Sequence, residues 1–195
     1  MVYGSIAARL AGVKNINGMV TGGGYVFTAR SAKAKLLGAI VRLLYRVGFS
    51  CCRHVIFQNP DDQREFCALG LVREDKCGVV NGSGVNMERF RPSPLPETIT
   101  FFMLSRLLKS KGVAEEAAHM VKREYPQARF WLLGKYEVQM QDALSREQVE
   151  PYLADGTVER FEETSDVRPY YGGCTVYVLP SYREGTPRTV LEAMA

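Results

Sequence analysis

The chain has 195 residues, of which 46% are hydrophobic and 24% are charged, and its formal net charge at pH 7 is +4. These proportions are ordinary for a globular protein, and the length is enough for one domain or parts of two. The charge is too small and too dispersed to indicate a nucleic-acid-binding surface. No signal peptide is evident, and no apolar stretch reaches the ~20 residues of a membrane-spanning helix. We therefore expect a protein that is not integral to a membrane and does not bind nucleic acid.

The cysteines form no C-x-x-C pair, and only two histidines are present to join them in a metal site. A zinc site or a disulfide framework needs closely spaced ligands or an oxidising compartment. The composition therefore predicts a protein without structural zinc or disulfides, in a reducing cytoplasm. The five cysteines are Cys51, Cys52, Cys67, Cys77 and Cys174.

The first half of the chain alternates between helical and strand patterns. Short β-branched or aromatic runs indicate strands, and apolar residues that recur every three or four positions indicate helices. The predicted elements are helices at 5–11, 34–47 and 60–69, strands at 54–58 and 77–81, and a turn at Thr21–Gly24.

The helix predicted at 34–47 combines an apolar side with several basic residues. Packing of the apolar side against a sheet accounts for this pattern. The same pattern is typical of a helix that lies on an anionic membrane surface. We favour packing, and a peripheral membrane contact is the second interpretation.

A stretch rich in glycine and proline separates the two halves of the chain. Gly82 and Gly84 end the first half, and three prolines follow between residues 92 and 96. Proline at this density stops helices and stiffens a linker. We predict an amino-terminal domain at 1–84, a linker at 85–97 and a carboxyl-terminal domain at 98–195.

The second half alternates in the same way, which predicts a parallel sheet covered on both faces. Its last strand, Val176 to Leu179, is β-branched and aromatic, and we expect it to be buried on both faces. The predicted strands are 98–104, 129–133, 157–161 and 175–179, with helices at 113–125 and within 139–153.

A helix start with anion-binding character follows the last strand. Thr186 is suited to the N-cap position, and Pro187 is suited to the first helical position. The N–H groups of Arg188, Thr189 and Val190 would then be free at the positive end of the helix. Glu184 precedes this start and Glu192 lies more than a turn inside the helix. Open α/β sheets bind their ligands where such strands end.

Two basic residues follow the first strand of the second half in the same manner. Arg106 and Lys111 come just after the strand at 98–104, so they too are expected at the carboxyl edge of the sheet. A diphosphate is bound well by positive charge and forked donors, which Lys and Arg supply. Taken singly, basic loop residues and helix starts are usually only solvated, and it is their combination at one edge that favours a ligand site.

These motifs resemble those of a known family. Glu184-Gly-Thr-Pro-Arg-Thr-Val-Leu-Glu192 is similar to the E-x7-E signature of retaining GT-B glycosyltransferases, specifically glycosyltransferase family 4 (group 1). The wider string from Leu179 to Ala195 is similar to bacterial members that build surface polysaccharide on a lipid carrier. In that family, an Arg and a Lys five residues apart bind the donor diphosphate, and here Arg106 and Lys111 occupy these positions.

The resemblance implies an α/β protein of the GT-B type, with parts of two Rossmann-like domains whose parallel sheets are both incomplete. It implies transfer of a hexose or acetamido-hexose from a UDP- or GDP-sugar to a lipid-linked saccharide, with retention at the anomeric carbon. No metal or other cofactor is expected, since the chain has no D-x-D motif.

The resemblance also implies a role for each site residue. Arg106, Lys111 and Glu184 are the implied catalytic residues, with Glu184 in contact with the donor sugar. The implied donor-binding residues are Gly185, Thr186, Thr189, Val190, Leu191 and Glu192, the last of which accepts hydrogen bonds from the ribose hydroxyls.

Two other functions are compatible with these motifs. A non-catalytic nucleotide-sugar-binding module would bind nucleotide without turnover. Another GT-B enzyme, such as a phosphorylase or a sugar epimerase, would use inorganic phosphate or interconvert free UDP-sugars. The resemblance covers nearly all of the chain, but that chain matches only the middle of a family member. We therefore expect a truncated donor-side portion of such an enzyme.

Overall fold

A computed structural model shows two compact units, residues 1–83 and 84–195. Each unit contains a parallel β-sheet with helices between its strands, so the predicted α/β class is confirmed. None of the helices in the described part of the chain combines the length and apolarity needed to cross a bilayer. The last two residues of the turn predicted at 21–24 lie outside the described part. The structure describes residues 1–22, 32–112, 115–137, 140, 142–182 and 184–195.

Unit 1 is built on a three-stranded parallel sheet in the order β1–β2–β3. Its third helix begins as its sequence predicts, because the Asn59 side chain accepts a hydrogen bond from the Asp62 N–H and Pro60 fills the first helical position. The elements are α1 (Val2–Leu10), β1 (Asn17–Val20), α2 (Ala32–Cys51), β2 (His54–Phe57), α3 (Pro60–Ala68) and β3 (Cys77–Val79).

The core of unit 1 is aromatic at its centre. Phe49 of α2, Phe57 of β2 and Phe66 of α3 are each almost fully buried. The Phe66 ring lies edge-on to the other two, with ring centroids 5.9 Å from Phe49 and 5.5 Å from Phe57. Edge-to-face packing of this kind adds to the free energy gained by burying apolar area. This ring packing holds α2 and α3 against the sheet.

Strand β1 is absent from the predicted elements because a glycine interrupts its pattern. Ile16, Gly18 and Val20 are buried in alternation, as in a strand with one covered face. A Cβ atom at Gly18 would lie 3.1 Å from the Met1 Sδ and 3.2 Å from the Cys52 Sγ. The glycine therefore makes room for close packing, and its lack of a side chain conceals the strand pattern.

Unit 2 is built on a four-stranded parallel sheet in the order β6–β5–β4–β7. The strand order reverses between β4 and β7, so the loops that follow these two strands flank a topological switch point. The elements are β4 (Thr100–Leu104), α4 (Glu115–Glu124), β5 (Arg129–Leu133), α5 (Arg146–Ala154), β6 (Glu159–Phe161), α6 (Arg168–Gly172), β7 (Val176–Tyr177) and α7 (Arg188–Met194).

Helices cover the sheet of unit 2 on both faces. Met103 and Leu132 pack with Val149 of α5 on one face. On the other face Phe102 stacks on Tyr170 of α6, with ring centroids 5.7 Å apart. Helix α6 has no counterpart among the predicted elements, because five residues are too few to show a helical period.

The last strand of the sheet is shorter and more exposed than predicted. The predicted strand at 175–179 is reduced to Val176–Tyr177, and that at 157–161 begins only at Glu159. The prediction that the last strand is buried on both faces is wrong, since Val176 and Val178 are 39% and 37% exposed. The reason is topological: in the described sheet β7 pairs with β4 alone and forms an edge.

Candidate donor-binding site

The loop after β4 is anchored by buried leucines and ends in a tight turn. Leu107 and Leu108 are almost fully buried, and Leu107 bridges to Tyr136 beyond β5. The chain then forms a short 3-10 turn at Lys109–Lys111, which Gly112 terminates with a φ of 64°. That left-handed conformation favours glycine. The anchored loop sets the position of the Lys111 side chain.

The loops after β4 and β7 are joined directly. The Tyr182 N–H donates to the Ser110 carbonyl oxygen at 3.1 Å. A Cβ atom at Gly112 would come within 2.4 Å of the Pro180 carbonyl oxygen, so only glycine permits this approach of the two backbones. The two loops therefore form one structural element at the carboxyl edge of the sheet.

Lys111 and Glu184 meet across these joined loops. The Lys111 Nζ lies 2.6 Å from the Glu184 Oε1, and each side chain is 24% exposed. Since both groups are mostly withdrawn from water, their attraction is screened less than that of a surface ion pair. Two of the three predicted catalytic residues thus form one ion pair at the switch point between β4 and β7.

The third predicted catalytic residue has different partners. The Arg106 Nη1 lies 3.2 Å from the Met140 Sδ and 4.0 Å from the Glu137 Oε1, and the side chain is half exposed. Both partners belong to the segment that follows β5. Arg106 therefore lies in the same loop as Lys111, but the structure pairs it with the segment after β5 rather than with Glu184.

The start of α7 differs from the prediction. Pro187, not Thr186, is the N-cap residue, and the helix begins at Arg188. The Pro187 carbonyl oxygen accepts hydrogen bonds from the Val190 N–H at 3.1 Å and the Leu191 N–H at 3.4 Å. The prediction of a free Val190 N–H is therefore wrong, because the extended Pro187 turns its carbonyl oxygen toward the first turn. The N–H groups of Arg188 and Thr189 lie in the first turn of α7, before the first residue whose N–H donates to the Pro187 carbonyl oxygen.

The remaining predicted donor-binding residues lie in the bend before α7 and in its first turn. Gly185 and Thr186 form the half-buried bend between Glu184 and Pro187. The Tyr177 phenol lies beside the Thr189 side chain and donates to the Leu104 carbonyl oxygen at 3.4 Å. Burial raises the pKa of Tyr177, so the phenol keeps its proton and its role as a donor. The first turn of α7 thus lies beside the ends of β4 and β7.

Glu192 is held from two sides. Its Oε1 accepts from the Arg188 Nε at 2.9 Å, and its Oε2 accepts from the Tyr171 hydroxyl at 3.3 Å. The Glu192 side chain is only 10% exposed. Burial raises the pKa of Tyr171, and the nearby Tyr177 and Glu192 raise it further, so the phenol stays protonated. The carboxylate is therefore held in one orientation within the unit.

The side chains of Tyr171, Tyr177 and Arg188 are parts of the site that sequence reasoning does not identify. Tyr171 lies on the short helix α6, which leaves no periodic signal. Arg188 stands four residues before Glu192, the spacing that brings helical side chains together, and this signal was available. Tyr177 belongs to the last predicted strand, but nothing in the sequence indicates which face its ring occupies.

The strand order and the position of these loops define the class of fold. Both units are Rossmann-like parallel sheets, and the chain has the GT-B fold. Residues 98–195 match the family model described as "Glycosyl transferases group 1", which is half of the chain. The chain belongs to this family.

Two characterised enzymes are similar to the chain over its full length. The chain is 30% identical to N,N'-diacetylbacillosaminyl-diphospho-undecaprenol alpha-1,3-N-acetylgalactosaminyltransferase of Campylobacter jejuni, in an alignment that covers 99% of the chain and 53% of that enzyme. It is 28% identical to UDP-Gal:alpha-D-GlcNAc-diphosphoundecaprenol alpha-1,3-galactosyltransferase of Escherichia coli, over 100% of the chain and 52% of that enzyme. The chain thus spans about half the length of these relatives.

Solved structures resemble the chain in fold. HepE of Anabaena in complex with UDP matches with a TM-score of 0.75 at 18% identity, over 99% of this chain and 54% of that one. Sucrose-phosphate synthase of Thermosynechococcus elongatus matches with a TM-score of 0.72 at 20% identity, over 98% of this chain and 51% of that one. At such identities the likeness establishes the fold alone.

Proposed function

We propose that this chain acts in a retaining glycosyl transfer that uses a nucleotide-sugar donor. A hexose or acetamido-hexose would pass from a UDP- or GDP-sugar to a lipid-linked saccharide, with retention at the anomeric carbon. The observation that carries this proposal is the Lys111–Glu184 ion pair, 2.6 Å long, at the switch point of the parallel sheet. It lies within the segment that matches the group 1 glycosyl transferase family.

The proposed chemistry places the donor diphosphate beside Lys111. The bond between the anomeric carbon and the diphosphate oxygen breaks, so negative charge grows on the leaving group while the sugar gains oxocarbenium character. The Lys111 ammonium has three N–H donors and can hold Glu184 and a phosphate oxygen together. Arg106 and the first N–H groups of α7 would add positive charge at the same edge.

Glu184 and Glu192 would bind opposite ends of the donor. Glu184 would contact the sugar, near the backbone of Gly185 and Thr186. Glu192 would accept hydrogen bonds from the ribose hydroxyls, since each of its carboxylate oxygens has lone pairs beyond those used by Arg188 and Tyr171. The fixed carboxylate would bind a diol without first having to be ordered, which lowers the entropic cost of binding.

The acceptor is proposed to be a lipid-linked saccharide, in keeping with the names of the two characterised relatives.

Helix α2 supports a peripheral contact with the membrane that would carry the lipid-linked acceptor. Ile40, Leu43 and Val47 recur at helical spacing and are 49%, 60% and 42% exposed, with Arg42 and Arg46 on the same helix. We propose that the protein lies in the cytoplasm, at the inner face of the membrane. Cosedimentation of the chain with anionic vesicles but not with neutral vesicles would support this membrane contact. Failure to bind either kind of vesicle would contradict the membrane contact.

Thermal unfolding with UDP, GDP and ADP tests the donor site. The tryptophan fluorescence of unit 2 is a convenient signal, because Trp131 of β5 is the chain's single tryptophan. Nucleotide at a hundredfold its Kd should stabilise the folded chain by ~2.7 kcal/mol and raise the Tm by ~5–10 °C. UDP or GDP should produce this shift and ADP should not. A cooperative melt that no nucleotide displaces would contradict the proposal.

Incubation with the donor that binds distinguishes the proposed activity from its rivals. Transfer to a lipid-linked acceptor with retained configuration supports the transferase. Binding without turnover would favour a non-catalytic module. Consumption of inorganic phosphate would identify a phosphorylase, and interconversion of free UDP-sugars would identify an epimerase.

A further inference from the structure

Cys67 and Cys77 of unit 1 bring their sulfur atoms into contact. Their Sγ atoms are 3.8 Å apart, although the two residues are ten positions apart in the chain. Cys67 lies in the last turn of α3, and Cys77 is the first residue of β3. Two other cysteine sulfurs have oxygen neighbours instead, the Cys52 Sγ near the Ser5 Oγ and the Cys174 Sγ near the Tyr171 carbonyl oxygen. The glycosyl transfer proposed above makes no use of the Cys67–Cys77 contact.

Both thiols are half-buried at the margin of the unit 1 core. The two side chains pack against the same cluster of buried residues. The Cys77 Sγ also lies 3.2 Å from the Arg73 carbonyl oxygen, to which the thiol can donate. Burial raises the pKa of Cys77 to about 12, and Cys67, Glu74 and Asp75 contribute to the rise. At neutral pH the Cys77 thiol therefore keeps its proton.

We propose that Cys67 and Cys77 are a reversible redox pair, which a peroxide converts into an intramolecular disulfide. A disulfide requires the sulfur atoms to move from 3.8 Å to ~2.05 Å apart, and the two side chains already face each other across van der Waals contact. Each residue lies at the end of its element rather than in the middle. Closure of the gap would require rotation of the two side chains and of the last turn of α3.

The oxidation proceeds in two steps. One of the two sulfurs attacks the peroxide as its thiolate, which gives a sulfenic acid and hydroxide. The other thiol then attacks the sulfenic sulfur, and the hydroxyl departs with the proton of that thiol as water. In sum, two thiols and one hydrogen peroxide give one disulfide and two waters. A dithiol reductant reverses the change.

The disulfide would join the end of α3 to the start of β3 and would stabilise unit 1. Because Cys77 begins β3, the pair lies at the amino ends of the parallel strands. Helix α3 begins at the opposite edge of the sheet, after β2. The bond would close a loop of about ten residues and restrict the unfolded chain. Oxidation should therefore raise the Tm of the chain by ~5–15 °C.

Peptide mapping of the oxidised chain tests the proposal. The full 195-residue chain is reduced, freed of reductant, treated with hydrogen peroxide, and alkylated in denaturant before digestion without reduction. We expect a linked peptide that joins Cys67 to Cys77, a mass two hydrogens below that of the dithiol form, and full reversal by dithiothreitol. Circular dichroism before and after oxidation gives the change in Tm.

Matched serine variants identify the cysteines that react. Cys67→Ser and Cys77→Ser should each abolish both the link and the rise in Tm, whereas Cys51→Ser should retain both. Should a variant fail to fold, the peptide map of the unsubstituted chain decides alone. Alkylation of both thiols after peroxide treatment, a link between other cysteines, or oxidation of either thiol to sulfinic acid without a link would overturn the proposal.

Discussion

Substitution of Lys111 by methionine is expected to weaken binding of the donor nucleotide by ~10- to 100-fold. Methionine keeps much of the length of the lysine side chain but removes the charge and all three N–H donors. A hydrogen bond to a charged group contributes ~1.5–3 kcal/mol, which is the basis of the expected range. Titration of the variant with the nucleotide that stabilises the unsubstituted chain measures the effect.

Lys109 supplies a matched control for this change. It belongs to the same 3-10 turn, carries the same charge, and is exposed. Lys109→Met should therefore leave nucleotide affinity within about twofold, since the charge of an exposed side chain is screened by water and salt. Equal losses in the two variants would mean that only the net charge of the loop matters. Unchanged affinity in Lys111→Met would remove Lys111 from the donor site.

Substitution of Gly134 by alanine is expected to destabilise unit 2 by ~2–4 kcal/mol. The added Cβ would lie 1.9 Å from the Ser105 carbonyl oxygen and 2.9 Å from its carbon, and both atoms belong to the backbone. The neighbours cannot easily move, because the Ser105 N–H donates to the Leu133 carbonyl oxygen and Arg160 donates to that of Gly134. Overpacking of this kind costs ~1–3 kcal/mol and more where the backbone is fixed.

The fluorescence of Trp131 follows the melting of unit 2 in this variant. The Tm should fall by ~5–15 °C, and nucleotide affinity should fall with it, because Ser105 begins the loop that carries Lys111. Gly172→Ala is the control, since a Cβ there meets only the Ser93 Oγ, at an ordinary 3.4 Å. The account of the loop would be wrong if the Gly134 variant had the same Tm as the Gly172 variant.

The elements that could be predicted from the sequence are those with their own local signals. Alternating strands and helices predict both parallel sheets, and Asn59 with Pro60 marks the start of α3. Strand β1 and helix α6 could not be predicted, because Gly18 conceals one pattern and the other is only five residues long. The exposure of β7 depends on the order of strands in the sheet, which no local pattern contains.

The candidate site could be predicted as a set of residues but not as a geometry. Lys111 and Glu184 are recognisable because each follows a strand, but their contact joins positions 73 residues apart. It depends on the approach of Gly112 to Pro180, which is a property of the folded loops. The contact of Arg106 with Glu137 and the hydrogen bond from Tyr171 to Glu192 are also tertiary contacts, so no local sequence pattern predicts them. The N-cap of α7 is Pro187 rather than Thr186 because the Pro187 backbone is extended, with a ψ of 112°.

Hydrogen–deuterium exchange of the chain with and without UDP or GDP tests most directly where the nucleotide binds. The account predicts slower exchange in peptides that cover residues 105–112 and 184–191, the loops joined by Lys111 and Glu184. Peptides from β2 and β3 of unit 1 should exchange at the same rate in both samples. Protection confined to other segments, or no protection at a nucleotide concentration that raises the Tm, would contradict the assignment of the donor site to this edge of the sheet.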